Sequence, residues 1–254
     1  MRRIAVTAAL ARLGASLVAI FLLMLPVQAA ERALIDFIGF SEDAKYFAFE
    51  EFGIGDGSGA AYSTIYVVDL SADKWVSGSP FAVDTLDEDD PEQIPLHVVR
   101  AEAMALAAPV LDELGITKPA QIVALNGDGE HTDGTTLSWW TPRCCGIDDT
   151  EDSEFKLTLS EHPAKGADNC QDTYAEGIDV VGYSLSVDAD NEHRELHADG
   201  EVLPASRRCT LGYSIYGVVQ PMDSNYGRVA IIASWPFGFE GPDRRFLAVP
   251  IDTP

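Results

Sequence analysis

The chain has 254 residues, 46% of them hydrophobic, with 41 Asp and Glu against 17 Lys and Arg, for a formal net charge of −24. A field of that sign repels phosphate backbones and anionic lipid surfaces, which sets aside nucleic-acid binding and attachment to a membrane surface. The same charge keeps an exported protein soluble, so it does not by itself call for a cationic ligand.

Arg2, Arg3 and Arg12 form a positive N-terminal region, and Leu13 to Leu25 form an apolar run too short to span a bilayer, ended by Pro26. Val27-Gln28-Ala29 then supplies small residues where a signal peptidase needs them, so residues 1–29 are expected to be a signal peptide cut after Ala29, with Ala30 as the alternative. The cut removes three arginines and no acid, which moves the charge from −24 to −27 and leaves 225 residues, 30–254, expected to form one β-rich domain. No membrane association is expected after cleavage, and the expected location is periplasmic or secreted.

Ala33 to Phe40, Tyr46 to Phe52, Ser63 to Leu70 and Lys74 to Val76 are short runs rich in β-branched and aromatic residues, separated by turn chemistry, and predict a four-stranded antiparallel meander. Asp84 to Glu92 holds six acids and a proline and reads as a solvated linker, the best candidate for an internal boundary. Val98, Ala101, Ala105, Ala108 and Leu111 then fall at helical spacing with Met104 and Leu114 beside them, Gly115 offers a stop, and Pro109 is expected to kink or split the helix. Ala120 to Leu125 and Thr135 to Trp140 look like a strand pair around a polar loop, and Asp179 to Val187, Ser214 to Val219, Arg228 to Ser234 and Arg245 to Val249 continue the strands. The fold class is α+β, mainly β, with antiparallel sheets and one main helix.

Cys144, Cys145, Cys170 and Cys209 are expected to form disulfides in an oxidising compartment. A bond between adjacent cysteines closes a strained ring, so Cys144 and Cys145 are each expected to reach one of Cys170 and Cys209. A vicinal disulfide or a metal-bound thiolate pair is the alternative.

The stretch Phe40-Ser41-Glu42-Asp43-Ala44-Lys45-Tyr46-Phe47-Ala48-Phe49-Glu50, with Ile65-Tyr66-Val67-Val68-Asp69-Leu70, is similar to one blade of periplasmic TolB-like propellers. A ring needs at least about four blades and no other segment repeats the pattern, so no complete propeller is expected. That stretch, together with Phe239-Glu240-Gly241-Pro242-Asp243-Arg244-Arg245-Phe246-Leu247-Ala248-Val249, resembles the bacterial family of predicted secreted proteins called domain of unknown function 2259. The resemblance implies export and a β-rich body, and it brings no catalytic residues.

Gly55-Asp56-Gly57-Ser58-Gly59 lacks the spacing of a nucleophile elbow and the helix that a dinucleotide loop needs, so it reads as a hairpin loop. His193 and His197 stand four apart, which puts them on one face of a regular strand or helix and makes them the metal candidates, with Asp188, Asp190, Glu192 and Asp199 nearby. Asn126, Asp128, Glu130 and Asp133 offer oxygen ligands for calcium without the EF-hand spacing. Trp235, Phe237, Phe239, Arg244 and Arg245 form the candidate interaction surface, against the plainer reading that the rings finish the core and the arginines pair with surplus acids. The functional expectation is a non-catalytic exported protein that binds an envelope or extracellular protein or a glycan and carries no cofactor. The alternative is a metal-dependent hydrolase using His193 and His197.

Overall fold

The structure, a computed structural model, describes residues 30–128, 133–141, 153–167, 170, 179–190, 192–224, 226–238 and 241–252. The expected signal peptide, residues 1–29, and Cys144, Cys145, Glu130 and Phe239 lie outside the described residues.

The meander forms as expected. Strands β1 (Leu34–Ser41), β2 (Tyr46–Ile54), β3 (Ala61–Asp69) and β4 (Lys74–Trp75) pair in sequence order, and β5 (Phe81–Asp84) shares the outer edge of β3 with β4. Helix α1 (Leu96–Glu113) follows the acidic linker and packs back on this first sheet, and β6 (Ile116–Lys118) closes the sheet beside β1. Next come β7 (Ala120–Leu125), β8 (Thr136–Thr141), β9 (Ser153–Pro163), β10 (Val181–Ala189), β11 (Glu192–Ala198), β12 (Thr210–Pro221), β13 (Val229–Pro236) and β14 (Arg245–Pro250). They form two four-stranded antiparallel sheets, a middle one ordered β14-β13-β12-β7 and an outer one ordered β11-β10-β9-β8. The expected pairing of β7 with β8 is not made: β7 joins β12 and β8 joins β9, so the chain changes layers between them. Asn126 ties that crossing, its amide donating to the carbonyls of Thr136 and Ile215.

Three cores separate four layers. Ala103, Ala107 and Leu111 of α1 pack on Ala48, Ile65 and Val67. The other face of the first sheet packs Phe40, Phe47 and Phe49 against Val229, Ile231 and Phe246 of the middle sheet. The middle sheet in turn packs Val218, Ile232 and Val249 against Leu157, Tyr183 and Leu185 of the outer sheet. Because successive residues of a strand face opposite ways, Ile231 and Ile232 enter different cores, and Val229 to Ser234 is buried throughout. Each such aliphatic side chain contributes roughly 1.5–3 kcal/mol by leaving water.

The helix presents a different face from the expected one: Val99, Ala103, Ala107 and Leu111 are buried, while Val98 and Met104 are exposed. Arg100 sets the rotation by reaching down to Glu50 (Nε–Oε1 2.9 Å, Nη2–Oε2 2.6 Å) and Asp36 (2.9 Å). The helix runs unbroken through Pro109, which sits on its exposed side, and Gly115 follows its end at φ +62°.

Cys170 is joined to Cys209, with a Cα–Cα separation of 5.3 Å, where each was expected to take Cys144 or Cys145. Lys165 N–H bonds Glu201 O and Leu203 N–H bonds Lys165 O, so the segments carrying the two cysteines are already side by side before the sulfurs meet.

Candidate binding cleft

Strand β14 is the edge of the middle sheet, and a cleft of about 410 Å³ runs along it. Phe246 to Val249 line its floor, Val68 and Trp75 of the first sheet line one wall, and Tyr183 and His197 of the outer sheet line the other. It continues past Arg207 and Phe246 to a second hollow of about 340 Å³ around Glu51, Tyr66, Arg208 and Arg245. Trp75 is 43% exposed at the lip and stands 5.4 Å from the Tyr66 ring.

The walls are braced by titratable side chains. His197 Nε2 lies 3.0 Å from Asp199 Oδ1, and its Nδ1 lies 3.9 Å from Asp73 Oδ2 in the β3–β4 turn, which links the outer sheet to the first sheet across the cleft. Arg207 bonds the same Asp199 oxygen (3.3 Å) and approaches His197 Nε2 (3.2 Å). Burial pulls the His197 pKa down, but hydrogen bonds to Asp199 and Asp73 outweigh it and leave the value raised. Burial pushes Asp199 up, while His197, Arg207 and the Tyr183 N–H together hold it lowered. Burial raises the neighbouring Tyr183 hydroxyl as well, and Tyr213 to about 12.

Glu51 is 2% exposed beneath the second hollow, where it accepts from the Phe246 N–H and from the Tyr66 hydroxyl (3.3 Å). Burial pushes its carboxyl up to about 7 in spite of those donors. Arg208 is exposed, and its backbone (φ 54°, ψ −153°) occupies a region that side chains other than glycine rarely enter. Neither Arg208 nor Lys74 has an ion-pair partner among the described residues.

The metal candidates do not come together. Strand β11 bulges between Glu195 and His197, so His193 pairs with Asp188 and His197 with Leu185, which are three residues apart on β10 and therefore on opposite faces. His193 bonds Asp188 (2.7 Å) in solvent while His197 faces inward on Tyr183. In the loop proposed from sequence as a calcium candidate, Asn126 bonds backbone carbonyls, Asp128 pairs with Arg244, and Asp133 caps the Thr135 N–H (2.9 Å). Among the described residues no cluster of His, Cys, Asp and Glu has a metal-holding arrangement.

The expected interaction surface is largely turned inward. Arg244, 4% exposed, bonds Ala33 O (2.9 Å) and Asp128, Arg245 bonds Glu31, and Trp235 is half-buried with Arg32 over its ring at 4.8 Å. Phe237 is exposed. The surplus carboxylates take the arginines because an unpaired buried guanidinium costs several kcal/mol, on the order of what the pair recovers. Of the sequence candidates, His197 lines the cleft and Arg245 its second hollow, while Trp75, Lys74, Glu51 and Arg208 are not among those candidates. Two signals were there: the Arg207-Arg208 pair in an acidic chain, and Glu50-Glu51 inside the otherwise apolar run Phe47 to Ile54.

The model of a family described as predicted secreted protein, DUF2259, matches residues 48–252. No curated protein and no solved structure matches the chain.

Proposed function

The chain belongs to this family of predicted secreted proteins, and from that premise we propose that it is a non-catalytic binding protein of the periplasm or extracellular space whose ligand lies in the cleft along β14. The observation that carries this reading is the meeting, on one cleft, of an exposed Trp75 with Lys74 and Arg208, two cations that a chain of net charge −24 leaves without ion-pair partners among its described residues. Aromatic rings and guanidinium groups at a desolvated hollow are what binding hot spots are made of. The acid–base groups of the cleft are engaged with one another: both ring nitrogens of His197 face carboxylates, which makes it a brace between layers and not a poised base.

The test is a screen of the purified protein against displayed random peptides and an array of defined glycans, repeated with Trp75→Ala and with His193→Ala as a surface control. Ligands of the cleft lose about tenfold or more in affinity with Trp75→Ala and nothing with His193→Ala. Retention of every ligand by Trp75→Ala overturns the proposal.

A further inference from the structure

Resting on that reading, we infer that the ligand is an extended acidic peptide that adds as a strand to the open edge of β14 and sets a carboxylate against Arg208. The backbone of the edge is guarded everywhere except along the cleft, where the 3.9 Å contact of His197 with Asp73 spans the mouth and parts to admit a strand. Outward N–H groups alternate along the strand, and Arg244 N–H bonds Glu31 O, Phe246 N–H is capped by Glu51, and Pro250 has no N–H to offer. By the same alternation the N–H of Ala248 and the carbonyls of Phe246 and Ala248 point out over the cleft floor, and no described residue takes them up. Proteins normally blunt such an edge with charge, proline or a covering element, as this one does on both sides of Ala248.

The walls suit a strand and not merely a chain. An added strand extends the middle sheet, so its alternate side chains turn to the first sheet at Trp75 and to the outer sheet at His197, as those of β14 turn to the same two sheets. Backbone pairing supplies the register, and the two walls supply the side-chain preference, apolar or aromatic where Trp75 waits. The charge preference follows from Arg208 and Lys74, and the strained backbone of Arg208, next to Cys209 of the disulfide, holds that cation at the second hollow. An acidic peptide meets repulsion over most of this protein, Asp84 at the second hollow included, and attraction at Lys74 and Arg208, which directs it to that part of the cleft.

The probe is the blocked hexapeptide acetyl-Glu-Thr-Val-Thr-Val-Glu-amide, titrated calorimetrically into the purified protein, with exchange of the Ala248 amide followed by NMR. Expected are binding with slowed Ala248 exchange, and loss of binding on N-methylation of the peptide in one alternate phase but not the other. Lysine in place of both glutamates, or Arg208→Ala in the protein, weakens binding by about tenfold or more, and Arg208→Lys restores part of it. Absence of binding, unchanged exchange at Ala248, or equal tolerance of both N-methyl phases overturns the inference. If glycans then bind in a Trp75-dependent way, the cleft reading stands without the strand; if no probe depends on Trp75, both fall.

Discussion

Glu51 makes the stability of this protein depend on pH in a direction opposite to that of most paired carboxylates. Its side chain is buried between the first sheet and β14, and burial raises its pKa from 4.5 to about 7. The folded protein therefore holds this proton over a range in which the unfolded chain has released it. The contribution is fully present below pH 4.5 and is lost as pH rises through about 7, and at 1.36 kcal/mol per unit that loss is about 3 kcal/mol. Glu51→Gln removes the titration, while the amide oxygen can still accept from the Phe246 N–H. Urea unfolding of both proteins, with disulfides intact, at about pH 4.5 and about pH 8 isolates the group, because the other titrating acids cancel in the difference. The glutamine variant should gain about 3 kcal/mol on wild type between the two conditions. A difference that stays constant within about 1 kcal/mol refutes the claim that the buried carboxyl keeps its proton.

His197 follows the usual rule for a partnered imidazole: with its pKa raised above 6.5, its stabilisation is complete below pH 6.5 and is lost as pH rises through the folded value. Asp73→Asn should lower that titration, read from the His197 ring by NMR, and an unmoved titration removes Asp73 from the brace. Gly39 sits at the bulge in β1 at φ +142°, and an added Cβ would stand 2.4 Å from the Lys118 carbonyl oxygen of β6, so Gly39→Ala should cost about 2 kcal/mol or more in thermal unfolding. Replacing Cys170 and Cys209 together with serine opens a loop with a sequence separation of 39 and should cost up to about 4 kcal/mol on the chain-entropy estimate. Equal urea midpoints for that variant and wild type would show that the bond does not stabilise the fold.

The N-terminal meander was legible because each hairpin closes within a few residues and its alternation is local, as in Thr64 to Asp69. Strand β9 was legible in principle, since Phe155, Leu157 and Leu159 alternate with polar residues, but it lies in the cysteine-bearing half where turn signals crowd the pattern. The helix was found and its face was not. Its apolar residues fit more than one stripe, and Arg100 selects one through Glu50, fifty residues earlier in the chain. The two histidines fit a metal pair only while β11 is regular, and one extra residue at the bulge reverses the parity that places them on a common face. Arg244 and Arg245 looked like a surface because nothing near them in sequence shows that Asp128 and Glu31 wait to receive them.

Charge excess, an export-like N-terminus and the positions of most strands are written in local composition and period, and the strands survive into the fold because hairpin pairing uses neighbours. Which face of each element is buried, and which edge is left open, depends on contacts such as Phe246 with Glu51 and Arg245 with Glu31, separated by 195 and 214 residues. Such contacts leave no periodic trace in the chain, since either partner alone looks like an ordinary strand residue. The cleft along β14 exists only because three sheets stack with that strand at the edge of the middle one, so it belongs to the packing of layers and to no single stretch of sequence.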